Sequence, residues 1–198
     1  MEVYYLPLTN IVYMGMGEPL LNYKNVMRSI HYITSEDGLN MSYKRVTLST
    51  SGISKMIRRL AEDNVKVNLA LSLHAASEEL RKEIMPIGKS NTLEEIRDSL
   101  KYYFSKTRKK VTYEYVLLRD VNDSVEDAHN LYKYTKHLSS KVNIIEYNPV
   151  EGLWFEKSSF EKTEKFINYL LKRGVNVSLR RSRGKDINAA CGQLANKN

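Results

Sequence analysis

The stretch "MGMGEPLLNY" at residues 14–23 brings glycine, carboxylate and proline together where an apolar run ends. Glycine there lets a ligand lie against bare backbone, and the Glu18 carboxylate can accept hydrogen bonds from a cationic group such as an α-ammonium. The same residues also suit a tight strand-to-helix turn in which Glu18 favours a helix N-terminus. "LSTSG" at 48–52 offers the hydroxyls of Ser49, Thr50 and Ser51 to a carboxylate or a ribose, and a polar turn with Ser54 as helix cap accounts for it equally. In "LSLHA", Ser72, Leu73 and His74 close a second apolar run, where a histidine is either structural or an acid–base group at a ligand rim. Cys191, in "NAACGQL", follows Arg180, Arg181, Arg183 and Lys185. Nearby positive charge lowers a thiol pKa, while a free cysteine also serves as a small buried hydrophobe.

Some chemistry is excluded. "GMGEP" has neither the GxGxxG pattern nor the lysine of a Walker loop. The four histidines, His31, His74, His129 and His137, lack metal-ligand spacing, and with one cysteine they build no zinc site. A single cysteine leaves no internal disulfide and fits a reducing, cytoplasmic compartment.

These residues need a scaffold that brings strand ends together. β-Branched runs recur at 10–14, 45–49, 66–73, 111–118, 141–147 and 175–181, with helical patterns between them. "TLEEIRDSLKYYF" opens with a capping box, Thr92 to Glu95, and places Leu93, Ile96, Leu100 and Phe104 on one face. "SSFEKTEKFINYLLKRG" offers Ser158 and Glu161 at its start and Gly174 past its end, and "DSVEDAHNLYKYTKHL" is led by Ser124. Six strands joined by helical crossovers predict a parallel sheet. Gly17 and Glu18, Ser49, Ser72 and His74, then Asn148 with Pro149, all follow strands, so they fall on the C-terminal rim where α/β proteins bind ligands. Polar groups from nearly every strand end suit a barrel mouth, complete or partial, in one α/β domain. Little sequence precedes Asn10, so the expected barrel begins as though an earlier βα unit were missing.

At 198 residues, with 42% hydrophobic and 27% charged residues, the chain has a globular composition. No apolar run approaches the roughly 18 residues needed to cross a bilayer, and the N-terminus lacks a basic signal-peptide region. The net charge of +8 favours a polyanionic partner, RNA or DNA above all, although a protein can be basic without one. Of the basic clusters, "SKTRKK" (105–110) suits a helix C-terminus, and "RRSRGK" (180–185) is the better candidate for phosphate contact.

"MGMGEPLLNY", "VTLSTSG", "LALSLHA", "EYNP" and "RGKDINAACGQL" occur in the order and spacing of the radical-SAM 23S rRNA adenine-C2 methyltransferases, which the chain resembles from about Asn10 to its last residues. Pro19 stands where the related C8-methylating enzymes typically have alanine, which favours the C2 branch. The resemblance implies a radical-SAM (β/α) barrel and methylation of adenine C2 in 23S rRNA, in some members also in tRNA. It implies S-adenosylmethionine held by Gly17, Glu18, Ser49, Ser72, Leu73, His74 and Asn148, with Cys191 as the catalytic cysteine that becomes S-methylated. It further implies a [4Fe-4S] cluster, an electron donor such as flavodoxin, and a cytoplasmic monomer without membrane contact.

The departures are equally specific. The family's CxxxCxxC cluster motif does not occur, and Cys191 is the sole cysteine, so the second, resolving cysteine is missing too. The family's acidic proton acceptor and N-terminal RNA-binding region are also absent. The expectation is a radical-SAM core, residues 1–198, truncated at or before its second strand and inactive alone. Two other readings remain: a non-catalytic module binding S-adenosylmethionine or RNA, and a cluster-free enzyme using Glu18 and His74 as base and acid.

Overall fold

The computed structural model describes residues 8–150 and 152–180. Six strands alternate with helices, as the β-branched runs predict: β1 Ile11–Tyr13, β2 Val46–Thr50, β3 Asn68–Ser72, β4 Val111–Leu117, β5 Ser140–Glu146 and β6 Val177–Arg180. All five neighbouring pairs are parallel, in the order β1-β2-β3-β4-β5-β6. Each crossover contains at least one helix: α1 Tyr23–Thr34, α2 Ser54–Glu62, α3 Glu78–Ile84 with α4 Leu93–Thr107, α5 Val125–Thr135, and α6 Phe160–Leu171. Strands that neighbour in sequence also neighbour in space, so the sheet advances one strand per crossover, as in a barrel wall. Among the described residues it does not close: β1 and β6 form its two edges, which is the form of a partial barrel.

The core lies between sheet and helices. Val46, Leu48, Leu69, Leu71, Tyr113, Tyr115, Val142 and Ile144 point out of the strands toward Ile57, Leu60, Ile96, Leu100, Tyr103, Phe166 and Leu170, all with no measurable exposure. The opposite face of the sheet carries the other parity of residues. On β2 the alternation is strict, with Val46, Leu48 and Thr50 buried and Thr47 and Ser49 partly open.

Local signals set the helix ends. α4 has the expected capping box, Thr92 with Glu95, and α5 has one from Ser124 and Asp127. Such caps satisfy backbone donors that a helix start leaves over, at about 1 kcal/mol each. Two expected caps are corrected. α6 is capped by Ser159, whose hydroxyl accepts from the Lys162 N–H at 3.2 Å. Ser158 is buried and donates to Asp123 at 2.6 Å, because tertiary packing claims its hydroxyl first. α2 is preceded by Ile53 without a side-chain cap; Ser54 instead turns to Asn91 Oδ1, at 3.0 Å from its N–H and 3.1 Å from its hydroxyl. No helix among the described residues is long and apolar enough to cross a membrane.

Candidate functional site

The C-terminal strand ends surround a cleft of about 340 Å³. Of the residues singled out in the sequence, Gly17, Glu18, Ser49, Ser72 and His74 line it. Leu73 and Asn148 are buried and are not part of its described lining. Cys191 lies outside the described residues, as do Arg181, Arg183 and Lys185.

Glu18 sits where β1 gives way to a short 3-10 turn, Pro19–Asn22, so the turn reading of it is realised, and it also lines the cleft. Its Oε1 accepts from the Leu20 N–H at 3.0 Å, as a helix cap does. Its Oε2 accepts from both the N–H and the hydroxyl of Ser51, each at 2.6 Å. The carboxylate is therefore fixed by neutral donors, and no described cation pairs with it. Charge-assisted bonds of this kind orient a carboxylate without neutralising it.

Ser51 is held in turn. Arg81, on α3, is completely buried and donates from its second terminal nitrogen to the Ser51 carbonyl at 2.6 Å and from Nε to the Leu73 carbonyl at 3.3 Å. One guanidinium thus ties the loop after β2 to the loop after β3. Gly52, with φ +99°, makes room for it: a Cβ there would stand 2.9 Å from Ile96 Cδ1 and 3.3 Å from the Arg81 guanidinium. Only glycine meets both demands at low cost.

His74 adopts a left-handed backbone, φ +56°, which turns the chain off β3. Its Nδ1 accepts from the Val116 N–H at 3.2 Å, so the ring proton belongs on Nε2. Burial first, and the Arg81 charge second, push its pKa down to about 4. The imidazole is a neutral hydrogen-bonding group at neutral pH.

The far wall joins Ser72 to three residues that sequence reading did not single out as site residues, Glu114, Asn143 and Ser178. Ser72, Glu114, Asn143 and Ser178 are register partners on β3, β4, β5 and β6, forming one polar row across the open face of the sheet. Asn143 Nδ2 donates to Glu114 at 2.9 Å, and the Ser178 hydroxyl bonds Asn143 Oδ1 at 2.9 Å. Arg180, of the second basic cluster, lines the cleft and pairs with Glu114 at 3.4 Å. An acidic residue inside the apolar run "VTYEYVLL" was the available sequence signal for Glu114.

The cleft suits a ligand that bears a cationic group and hydrogen-bonding groups: a fixed carboxylate, serine hydroxyls, a neutral imidazole and bare glycine backbone converge on it. An iron–sulfur cluster does not suit these residues. Such clusters are held mainly by cysteine thiolates, usually four. The sequence has one cysteine, and no three His, Cys, Asp or Glu side chains group as metal ligands among the described residues.

Comparison with known proteins agrees with this geometry. Residues 2–132 match the radical SAM superfamily. A protein of Christiangramia forsetii named probable dual-specificity RNA methyltransferase RlmN is 52% identical over 191 residues, covering 96% of this chain and 54% of that protein. One of the same name from Flavobacterium psychrophilum is 54% identical, covering 96% and 55%. The chain thus spans about half the length of these curated relatives. The crystal structure of a radical SAM methyltransferase from Sphaerobacter thermophilus superposes with a TM-score of 0.91 at 41% identity, covering 94% of this chain and 55% of that one. A domain of pyruvate-formate lyase-activating enzyme from Bacteroides vulgatus shares the fold alone, with a TM-score of 0.65 at 14% identity. The expected resemblance and fold class hold, and the chain belongs to the radical SAM superfamily.

Proposed function

We propose that this chain is the S-adenosylmethionine-binding portion of an RNA methyltransferase acting on C2 of adenine in 23S rRNA, an activity that in some members of the family extends to tRNA. The observation that carries the reading is Glu18, an anion fixed by Leu20 and Ser51 at a ligand-sized cleft with no described cation beside it. In this reading the Glu18 carboxylate takes the α-ammonium of S-adenosylmethionine. Ser49, Ser72 and the His74 Nε2–H supply hydrogen bonds to its carboxylate and ribose, while Gly17 lets its backbone approach. Leu73, buried with its backbone N–H and carbonyl bonded within the protein, serves by holding Ser72 and His74 in place. Asn148, just beyond β5, completes the set. The names of the relatives, which span about twice this length, support RNA as the substrate.

Cys191 is proposed as the thiol that carries the methyl group to adenine. Adenine C2 is an electron-poor carbon, so a sulfonium cannot methylate it by simple displacement, and a thiolate can accept the methyl first. S-Adenosylmethionine supplies that methyl; the reductive chemistry of the family belongs to a cluster that this chain's residues do not suit. The 198-residue polypeptide is accordingly proposed to bind S-adenosylmethionine and to be inactive alone in methylating adenine.

Titration calorimetry with S-adenosylmethionine tests the binding, and iron and sulfide assays after anaerobic reconstitution test the cluster. Saturable one-site binding with no stoichiometric iron is expected. Absence of binding would sink the site, and stoichiometric cluster on this chain would sink the claim of inactivity. The rival use of Glu18 and His74 as base and acid is disfavoured, because an imidazole with its pKa near 4 is a poor acid–base group at neutral pH.

A further inference from the structure

The loop between β5 and α6 exposes the chain's one tryptophan. Trp154 is 70% exposed, and the neighbouring Leu153 is 52% exposed. Its ring lies against Phe155 with centroids 4.5 Å apart and planes at 37°. Phe155 in turn meets the Tyr147 ring edge-on at 6.3 Å. Tyr147 directly follows β5, the strand that sends Ile145 into the cleft. Three rings therefore run in series from the end of β5, a strand that lines the cleft through Ile145, to an indole that packs on Phe155 and stays largely exposed.

The loop is anchored beyond the indole. Lys157 forms an antiparallel bridge with Leu118, and the Arg119 N–H donates to the Glu156 carbonyl at 2.8 Å. Lys157 also pairs with Glu146 at 3.1 Å. An indole on a fixed loop loses little entropy when it takes a partner, and a large exposed aromatic contributes nothing to the core.

We propose that Trp154 is a stacking platform for an unpaired RNA base beside the substrate cleft. This rests on the reading of RNA as substrate. An open aromatic face suits a nucleobase, since every base has a π-face and unpaired RNA is bound by stacking on aromatic side chains. The chain's net charge of +8 complements the phosphates that accompany such a base. A single tryptophan makes the platform directly observable, because its intrinsic emission reports Trp154 alone.

The test titrates the whole chain with a short single-stranded adenine-containing RNA, the same strand made abasic at every position, and a blunt duplex. Emission is expected to be quenched by the single strand and not by the abasic strand or the duplex. Trp154→Ala should weaken single-strand binding about tenfold, a typical value for losing one stacked base, while Trp154→Phe retains most of the affinity. S-Adenosylmethionine binding should be the same in all three proteins. Equal binding and quenching by intact and abasic strands would overturn the platform while leaving the RNA reading standing. Binding of neither strand would overturn both. An emission shift on concentrating the chain without RNA would assign the face to a second copy and overturn the proposal.

Discussion

Two carboxylates face the same cleft, and their surroundings differ. Glu18 is held by a backbone N–H and by both donors of Ser51, all neutral. Glu114 is held by Asn143 and by the Arg180 guanidinium. The first has no cation beside it among the described residues, and the second is paired within the protein. Position explains this. Glu18 stands past the end of an edge strand, within reach of the loop after β2. Glu114 lies inside a central strand, where burying an unpaired carboxylate would be costly.

Removing the support beneath Glu18 should have the largest effect. Arg81→Ala leaves the Ser51 and Leu73 carbonyls without their guanidinium donor and empties a fully buried volume. A loss of about 2–5 kcal/mol, as when a large buried side chain is deleted and buried carbonyls lose their donor, is expected in urea unfolding. Loss below 1 kcal/mol would show that the two loops hold themselves.

The next effect is one of pH. His74 titrates near 4 in the folded chain against 6.5 when unfolded. Between those values the unfolded chain binds the extra proton, so stability falls as pH drops from 6.5 to 4, by at most about 3 kcal/mol. Urea midpoints measured at several pH values check this, with His74→Asn as control because asparagine tolerates the left-handed backbone. The same slope in the His74→Asn protein would assign it to other groups.

The smallest change sharpens the contrast itself. Glu18→Gln should weaken S-adenosylmethionine binding by about 1.5–3 kcal/mol, tenfold or more in Kd, because a charged acceptor is lost from an ammonium. Glu114→Gln should change that Kd less than about fivefold, since its half-exposed partner Arg180 makes a weak pair. Equal losses in the two variants, measured by calorimetry, would erase the distinction drawn between the carboxylates.

Much of this was readable from residue order. Alternating β-branched runs and capping boxes gave six strands and their crossovers, because periodicity and caps are local properties. The strand-end position of Glu18, Ser49, Ser72 and His74 followed from the same pattern, since parallel strands all end on one rim. Ser158, expected as a cap, and Ser54, offered as one of two readings, cap nothing because Asp123 and Asn91, distant in sequence, take their hydroxyls.

Local sequence thus determined which elements form, in what order, and which polar residues share the rim. The register, and everything that depends on it, came from tertiary packing. Nothing local says that Ser72, Glu114, Asn143 and Ser178 stand side by side on four strands. Nor does it say that Arg81, in the charged run "SEELRKE", is a buried clamp between two loops. Most of these contacts join residues tens of positions apart, and they exist only once the packed helices have fixed how each strand aligns with the next.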